Sequence, residues 1–263
     1  MSVGFSQSFP IQLSIISRAL RAHSANPQMT KKEIAAEIGL NKPKMDGTSA
    51  WLRYLELWQH GTGLLPIGKV ILKYDEFFSS LGTKWLLHHT LVSNPNAEVW
   101  YFGFNRFFSI GTSFTREEFY DALSKEHIGD GTKYLKTDVG ILVNSYTDHD
   151  DAFADVDMFD TQNNNNYVPH SPTNIPSLIV GYALYKFRED SGNVSTIALK
   201  RLQDDVGQVG KLFMLSQQPL MDLLYELETL GIIRITRSAD LENITYTFGG
   251  TSLDLLERYY NEA

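Results

Sequence analysis

Apolar residues in this sequence recur three and four positions apart, in runs stopped by glycine or proline. Ile11, Leu13, Ile15, Ile16 and Leu20 follow Pro10. Trp51, Tyr54, Leu55 and Trp58 fall at i, i+3, i+4 and i+7. Leu220, Leu223, Leu224, Leu227 and Leu230 run up to Gly231. This is the period of amphipathic helices, each of which hides one stripe. The pattern predicts a mainly α chain with small β wings, an α+β fold. No disulfide framework can supplement the packing, because the 263 residues include no cysteine. The 43% hydrophobic and 12% aromatic content suffices for a packed core. Lack of cysteine also removes a thiolate nucleophile and any Cys-ligated zinc or iron–sulfur centre, and it fits a reducing cytoplasm. The sequence does not open on a basic segment followed by an apolar block. Its longest apolar stretch, residues 178–185, is far short of the roughly 20 residues that span a membrane. The expectation is a soluble, cytoplasmic protein with no membrane partner.

The formal charge of −8 hides an uneven distribution. Residues 1–73 carry a net +5 and the remainder a net −13. A basic module that touches a polyanion, joined to an acidic body that does not, accounts for such a split. Local signals give the module an order. Thr30 with Glu33 makes a capping-box pattern ahead of a helix over 31–38, which Gly39 stops. Pro43 opens a further helix, expected to run through Trp58 until Gly61 and Gly63 end it. Residues 64–72 are expected to form a short β wing. Helix, short helix, turn, helix and wing is the order of a winged helix-turn-helix, whose second helix of the pair enters the major groove. The residues expected at double-stranded DNA are Lys31, Lys32, Asn41, Lys42, Lys44, Ser49 and Arg53. A plain three-helix bundle with a solvated lysine face is the competing reading.

The remaining chain divides into a helical, aromatic-rich part at 74–150, an acidic Asn-rich loop at 151–172, and a C-terminal part at 173–263. The aromatic run from Trp100 to Phe108 is expected in the core or an interface, since such side chains dominate buried area. The Asp-rich stretch from Asp148 to Asp160 is expected to be a solvated loop. Ala152 and Phe153 stand where a calcium loop needs a ligand and a glycine. In the last part, a helix ending at Gly231 and two β-rich segments around Ser238-Ala239-Asp240 read as a second winged-helix-like unit.

Catalytic signatures are sparse. The sequence has no phosphate-binding Gly-rich loop with Lys-Ser/Thr, no H-E-x-x-H, no G-x-S-x-G and no dinucleotide fingerprint. His88 and His89 are adjacent, so on a helix they point about 100° apart and do not share one metal. A metal-dependent nuclease needs carboxylates around Mg²⁺ or Mn²⁺. Asp138, set among apolar residues, is the single candidate catalytic carboxylate. The competing reading places it on the wet face of its helix.

Several blocks together resemble a known family. They are Phe5-Ser6-Gln7-Ser8-Phe9-Pro10, Ile38-Gly39-Leu40-Asn41-Lys42, Thr83-Lys84-Trp85-Leu86-Leu87-His88, Trp100-Tyr101, Phe104-Asn105-Arg106-Phe107, Phe114-Thr115-Arg116-Glu117-Glu118 and Leu135-Lys136-Thr137-Asp138-Val139. In this order they resemble the SspB-like family of bacterial DNA phosphorothioation defence loci. The resemblance implies a DNA-binding component that nicks DNA. The implied partners are a cysteine desulfurase, an ATPase and a sulfurtransferase-like enzyme, with a homodimer as a further expectation. A non-enzymatic winged-helix regulator and an assembly subunit stay open beside it.

Overall fold

Helix boundaries follow capping chemistry. In the computed structural model, residues 4, 6, 8–126, 132–147, 151–162, 165–238 and 241–262 are described. The chain opens with α1 (Leu13–Ala25), α2 (Lys31–Glu37) and α3 (Lys42–Tyr54). The Thr30 N–H donates to the Glu33 carboxylate at 2.7 Å and the Glu33 N–H to the Thr30 hydroxyl at 3.3 Å, which is the expected capping box. Gly39 then takes φ +72°, while the Leu40 N–H reaches the Ala35 carbonyl at 2.8 Å, closing a Schellman motif. Asn41 caps α3 by accepting from the Lys44 N–H at 3.0 Å.

The end of α3 departs from the periodicity. The helix stops at Tyr54 and does not reach Trp58. Glu56 adopts φ +53°, its N–H donates to the Arg53 carbonyl at 3.1 Å, and the Leu57 N–H donates to the Leu52 carbonyl at 2.9 Å. This is again a Schellman motif, here with glutamate in the left-handed position that glycine usually fills. Trp58 therefore enters a strand, β1 (Trp58–Gln59), paired antiparallel with β2 (Gly63–Leu64). Gly61 and Gly63 shape this hairpin and end no helix. The wing expected at 64–72 is likewise corrected, because most of that segment is α4 (Pro66–Tyr74). Pro66 is preset for the first turn, and Ile67, Val70 and Ile71 bury one helical face.

Helix α5 (Leu81–Ser93) is buried on nearly every side and runs through the core. Asp75 organises its start by accepting from the Ser79 and Ser80 N–H groups at 2.9 Å each and from the Thr83 hydroxyl at 2.6 Å. Helix α6 (Glu98–Phe102) passes into one π-helical turn, Gly103–Phe107. Trp100, Phe104 and Phe108 are buried, so the aromatic run is core. Next come β3 (Phe114–Thr115), α7 (Arg116–Glu126), with a second capping box between Thr115 and Glu118, and α8 (Thr132–Thr147).

The segment expected to be a solvated acidic loop is structured. It holds a 3₁₀ turn, Ala154–Val156, then β4 (Phe159–Gln162) and β5 (Asn166–Pro169), which join β3 in an antiparallel sheet of order β3-β5-β4. Phe153, Val156, Met158, Phe159 and Tyr167 are buried under it. Asp151 is a helix cap: its carboxylate accepts from the Ser14 N–H at 2.9 Å, and its carbonyl accepts from the Leu13 N–H at 2.9 Å. A carboxylate there also opposes the positive end of the α1 dipole. Asp148, Asp150, Asn163 and Asn164 lie outside the described residues.

The last part contains α9 (Ser177–Asp190), β6 (Thr196–Ala198), α10 (Leu199–Asp204), α11 (Val209–Leu212), α12 (Gln217–Thr229), β7 (Ile233–Ser238), β8 (Leu241–Tyr246) and α13 (Ser252–Glu262). The expected β7–β8 pair is present and β6 adds an edge, giving the order β6-β8-β7. Its tip, Ala239 and Asp240, lies outside the described residues. Helix α13 returns to the start of α5. Tyr260 stacks on Tyr74 at 5.3 Å, and Gly82 leaves room for the Tyr259 phenol. One core runs from Ile11 to Leu256, while Ala22, Ile34, Ala35 and Met45 form a second, small cluster under α2.

Left-handed backbone at a non-glycine residue costs about 1–2 kcal/mol, so Glu56→Gly should stabilise the protein by about 1 kcal/mol net of glycine's extra chain entropy. Urea denaturation reads this as a higher midpoint at unchanged slope. A lower midpoint would mean that the Glu56 side chain contributes more than its backbone costs.

Candidate nucleic-acid interface

The corner that ends α3 also opens a cleft. A groove of about 790 Å³ lies between the end of α1, the start of α2, α3 and the β1–β2 hairpin. Lys31, Ser49 and Arg53 line it, three of the seven residues expected at DNA. Lys32 is exposed and lies outside the lining, as do Asn41 and Lys42 at the start of α3. The Lys42 side chain is 91% exposed. Lys44 lines a different, small hollow with Phe9, Pro10 and Gln12. The structure thus splits the expected set into a group inside the cleft, a group at the N-terminus of α3, and Lys32 apart from both on α2.

Local bonding already commits some of these groups. The Asn41 oxygen serves the helix cap, so its amide N–H₂ is the group it can offer a ligand. The Ser49 hydroxyl donates to the Met45 carbonyl at 2.8 Å. Lys31 forms an ion pair with Asp46, and Lys42 approaches the other Asp46 oxygen at 3.6 Å. The Lys31 hydrogen bond, followed by the charges of Lys31 and Lys42, holds the Asp46 carboxyl below the usual range. One carboxylate therefore offsets part of the positive field at this end. The pairs are solvent-exposed and individually weak, so a phosphate can compete for either lysine.

Three cleft residues were not legible in the sequence. His23, from α1, is buried and stacks on Trp58 with ring centroids 4.0 Å apart, its Nε2 unpartnered. Burial lowers its pKa, so the ring is neutral near pH 7. His60 meets the edge of Trp58 at 6.3 Å from the hairpin. Trp58 was hidden because the helical period assigned it to α3. The resulting groove has an aromatic wall, a guanidinium and an ammonium, the set that stacks on bases and meets phosphates.

Asp138 lies elsewhere, on α8. It is 2% exposed, so it is not on a wet face, and it accepts a hydrogen bond from the Gly4 N–H at 2.6 Å. Burial pushes its pKa up to about 6, opposed by that hydrogen bond. Gly4 packs onto the Tyr134 ring, and a Cβ there would meet it at 2.8 Å. The carboxyl thus ties the N-terminal segment to α8. His88 is a core residue bonded to Tyr146 and the Leu212 carbonyl, and burial lowers its pKa to about 3. Among the described residues, no three His, Cys, Asp or Glu side chains converge to hold a metal ion.

The chain belongs to the family described as protein of unknown function DUF4007, whose model matches residues 6–260. Two solved structures share its fold, one described as "SspB crystal structure" and one as "Magnesium ion-bound SspB crystal structure". Each is 17% identical, with a TM-score of 0.82, over 99% of this chain and 88% of the other. The SspB-like resemblance of the sequence blocks and the fold agree. No curated protein matches the chain. Among the described residues, no helix is long and apolar enough to cross a membrane.

Asp138 gives a pH-dependent test. The folded chain holds this proton to about pH 6 and the unfolded chain only to about 3.8. The folded state therefore binds more protons in that window, and the carboxyl's contribution to stability falls as pH rises through it. Asp138→Asn keeps an oxygen for the Gly4 N–H and never ionises. It should stabilise the protein by about 2 kcal/mol near pH 7.5 and by about nothing near pH 4. Urea denaturation at both pH values checks this, and equal offsets at the two would reject it.

Proposed function

We propose that this chain is a DNA-binding component of a bacterial DNA phosphorothioation defence system. In this reading α1, α2, α3 and the β1–β2 hairpin act as a winged helix-turn-helix within a DNA-facing unit at 1–73. The observation that carries it is the cleft between α3 and the hairpin, lined by Lys31, Ser49 and Arg53. Helix α3 enters the major groove of double-stranded DNA with Asn41, Lys42 and Lys44 leading. Its N-terminus and the cations there meet phosphates, Lys32 and Arg53 extend the contact along the backbone, and the hairpin follows the adjacent strand. The remaining regions, 74–150, 151–172 and 173–263, form an acidic body that turns away from DNA. That body docks the desulfurase, ATPase and sulfurtransferase of the same system in the cytoplasm, and a second copy makes a homodimer. The shared SspB fold supports this assignment.

Phosphate contacts release counterions, so affinity must fall with salt. Lys42→Ala combined with Lys44→Ala should reduce the slope of log Kobs against log salt by up to about two units, near one per lost phosphate contact. Fluorescence anisotropy with a labelled duplex measures it. An unchanged slope in the folded double variant rejects these two contacts.

Nicking is the enzymatic extension of the proposal. The solved SspB described as magnesium ion-bound supports testing Mg²⁺ and Mn²⁺. A non-enzymatic regulator or assembly subunit is the second reading, favoured by the Asp138 carboxyl, which is buried and bonded to the Gly4 N–H. Supercoiled plasmid incubated with the protein and Mg²⁺, Mn²⁺ or EDTA separates them. Nicking predicts metal-dependent open circles that Asp138→Asn abolishes in a chain still folded. Intact plasmid in every arm, with DNA binding retained, selects the second reading.

A further inference from the structure

A second cavity lies on the other side of the corner that ends α3. It measures about 310 Å³ and is lined by Glu56, by His89, Thr90 and Ser93 of α5, by Tyr101, by Tyr182 and Lys186 of α9, and by the Gly207-Gln208 turn. Two side chains of its lining each hold one buried polar atom without a hydrogen-bond partner. Gln208 is 2% exposed with an unpartnered Oε1, and His89 is 5% exposed with an unpartnered Nδ1. Buried polar atoms are nearly always satisfied, so two in the wall of one cavity point to a ligand that draws them out and supplies the missing bonds.

The walls define its chemistry. Tyr101 and Tyr182 contribute aromatic rings, and the His89 ring, held neutral by burial, meets Tyr182 edge-on at 5.6 Å. The charged groups do not favour an anion. Lys186 is paired with Asp190 at 2.6 Å, and Glu56 adds a further carboxyl. The frame is fixed beforehand: Asn105 accepts from the Gly207 N–H at 2.7 Å and donates to the Val92 and Tyr101 carbonyls at 3.0 Å each. A volume near the lower end for small-molecule sites admits one base with its sugar and no duplex.

We infer that this cavity binds a single uncharged nucleobase carrying an exocyclic amine, read by Gln208 and His89 and flanked by Tyr101 and Tyr182. A glutamine amide matches the N6–H and N7 edge of adenine, and an aromatic wall holds the ring by stacking. The base can come from a free nucleoside or from a nucleotide turned out of DNA, as proteins that handle single bases require. The cavity chemistry stands apart from the proposed DNA-binding cleft.

Deoxyadenosine titrated into the full chain, followed by saturation-transfer NMR, tests it without any DNA. Saturable binding is expected, with thymidine and the variant Gln208→Leu each weaker by ~10-fold or more, the range of one good base-edge contact. Gln208→Leu removes an unsatisfied buried oxygen, so its unfolding midpoint should not fall. Ser93→Trp, at the half-exposed rim, should block binding without touching the core. A duplex containing 2-aminopurine then separates the sources. A fluorescence rise on binding assigns the base to DNA, and no rise with nucleoside binding retained assigns it to a free nucleoside. No saturable nucleoside binding and no fluorescence rise in the folded chain overturns the inference, as does binding unaffected by both variants.

Discussion

The imidazole of His88 joins three helices across the core. Its Nε2 lies 2.8 Å from the Leu212 carbonyl, which can only accept, so that nitrogen carries the hydrogen. Nδ1 therefore accepts from the Tyr146 hydroxyl at 2.7 Å. One neutral ring thus fixes α5, α8 and α11 against each other. Trp85, Phe104, Phe153 and Phe213 surround it. Protonating it would reverse the Tyr146 bond, turn that hydroxyl's hydrogen away from the ring and leave a charge in an aromatic cage. That desolvation is why its pKa falls so far, and why the core depends on the unprotonated ring.

Around that core, the uneven charge of the chain is only partly spread over surfaces. Asp151 and Asp155 belong to the acidic segment, yet one caps α1 and the other pairs with Lys84 of α5. They attach the 151–172 segment to the front of the molecule and to the core helix. In the basic front, Asp46 offsets Lys31 and Lys42. The net +5 of residues 1–73 therefore overstates the field a phosphate would meet at α3. Lys32 and Arg53, which make no ion pair among the described residues, carry their charge undiminished.

Much of the helical frame was legible because caps are written in few residues. Thr30 with Glu33 marked one start, and Gly39 and Gly231 marked two stops. The stop at Glu56 was not legible, since glutamate carries no signature for a left-handed position. The β4–β5 hairpin was hidden for another reason: its buried residues, Phe159, Tyr167 and Pro169, are set among aspartates and asparagines whose composition signals a loop. Of the candidate interface, the cationic residues were readable and the aromatic wall was not. His89 and Gln208 are far apart in sequence and meet only through the packing of α5 against the turn before α11.

Glu56 has consequences out of proportion to one residue. Had α3 continued at its period, Trp58 would lie one turn beyond Tyr54 on the stripe that buries Trp51. The left-handed turn instead sends the chain back as a hairpin and places Trp58 against His23, forming a wall of the cleft. The same turn leaves Arg53 facing that cleft and the Glu56 side chain facing the second cavity. A helix end of four residues thereby separates two concave surfaces of different character. The larger one carries cations and an open aromatic wall suited to a polyanion. The smaller one carries neutral polar groups and a surplus of carboxyls that would reject the same ligand.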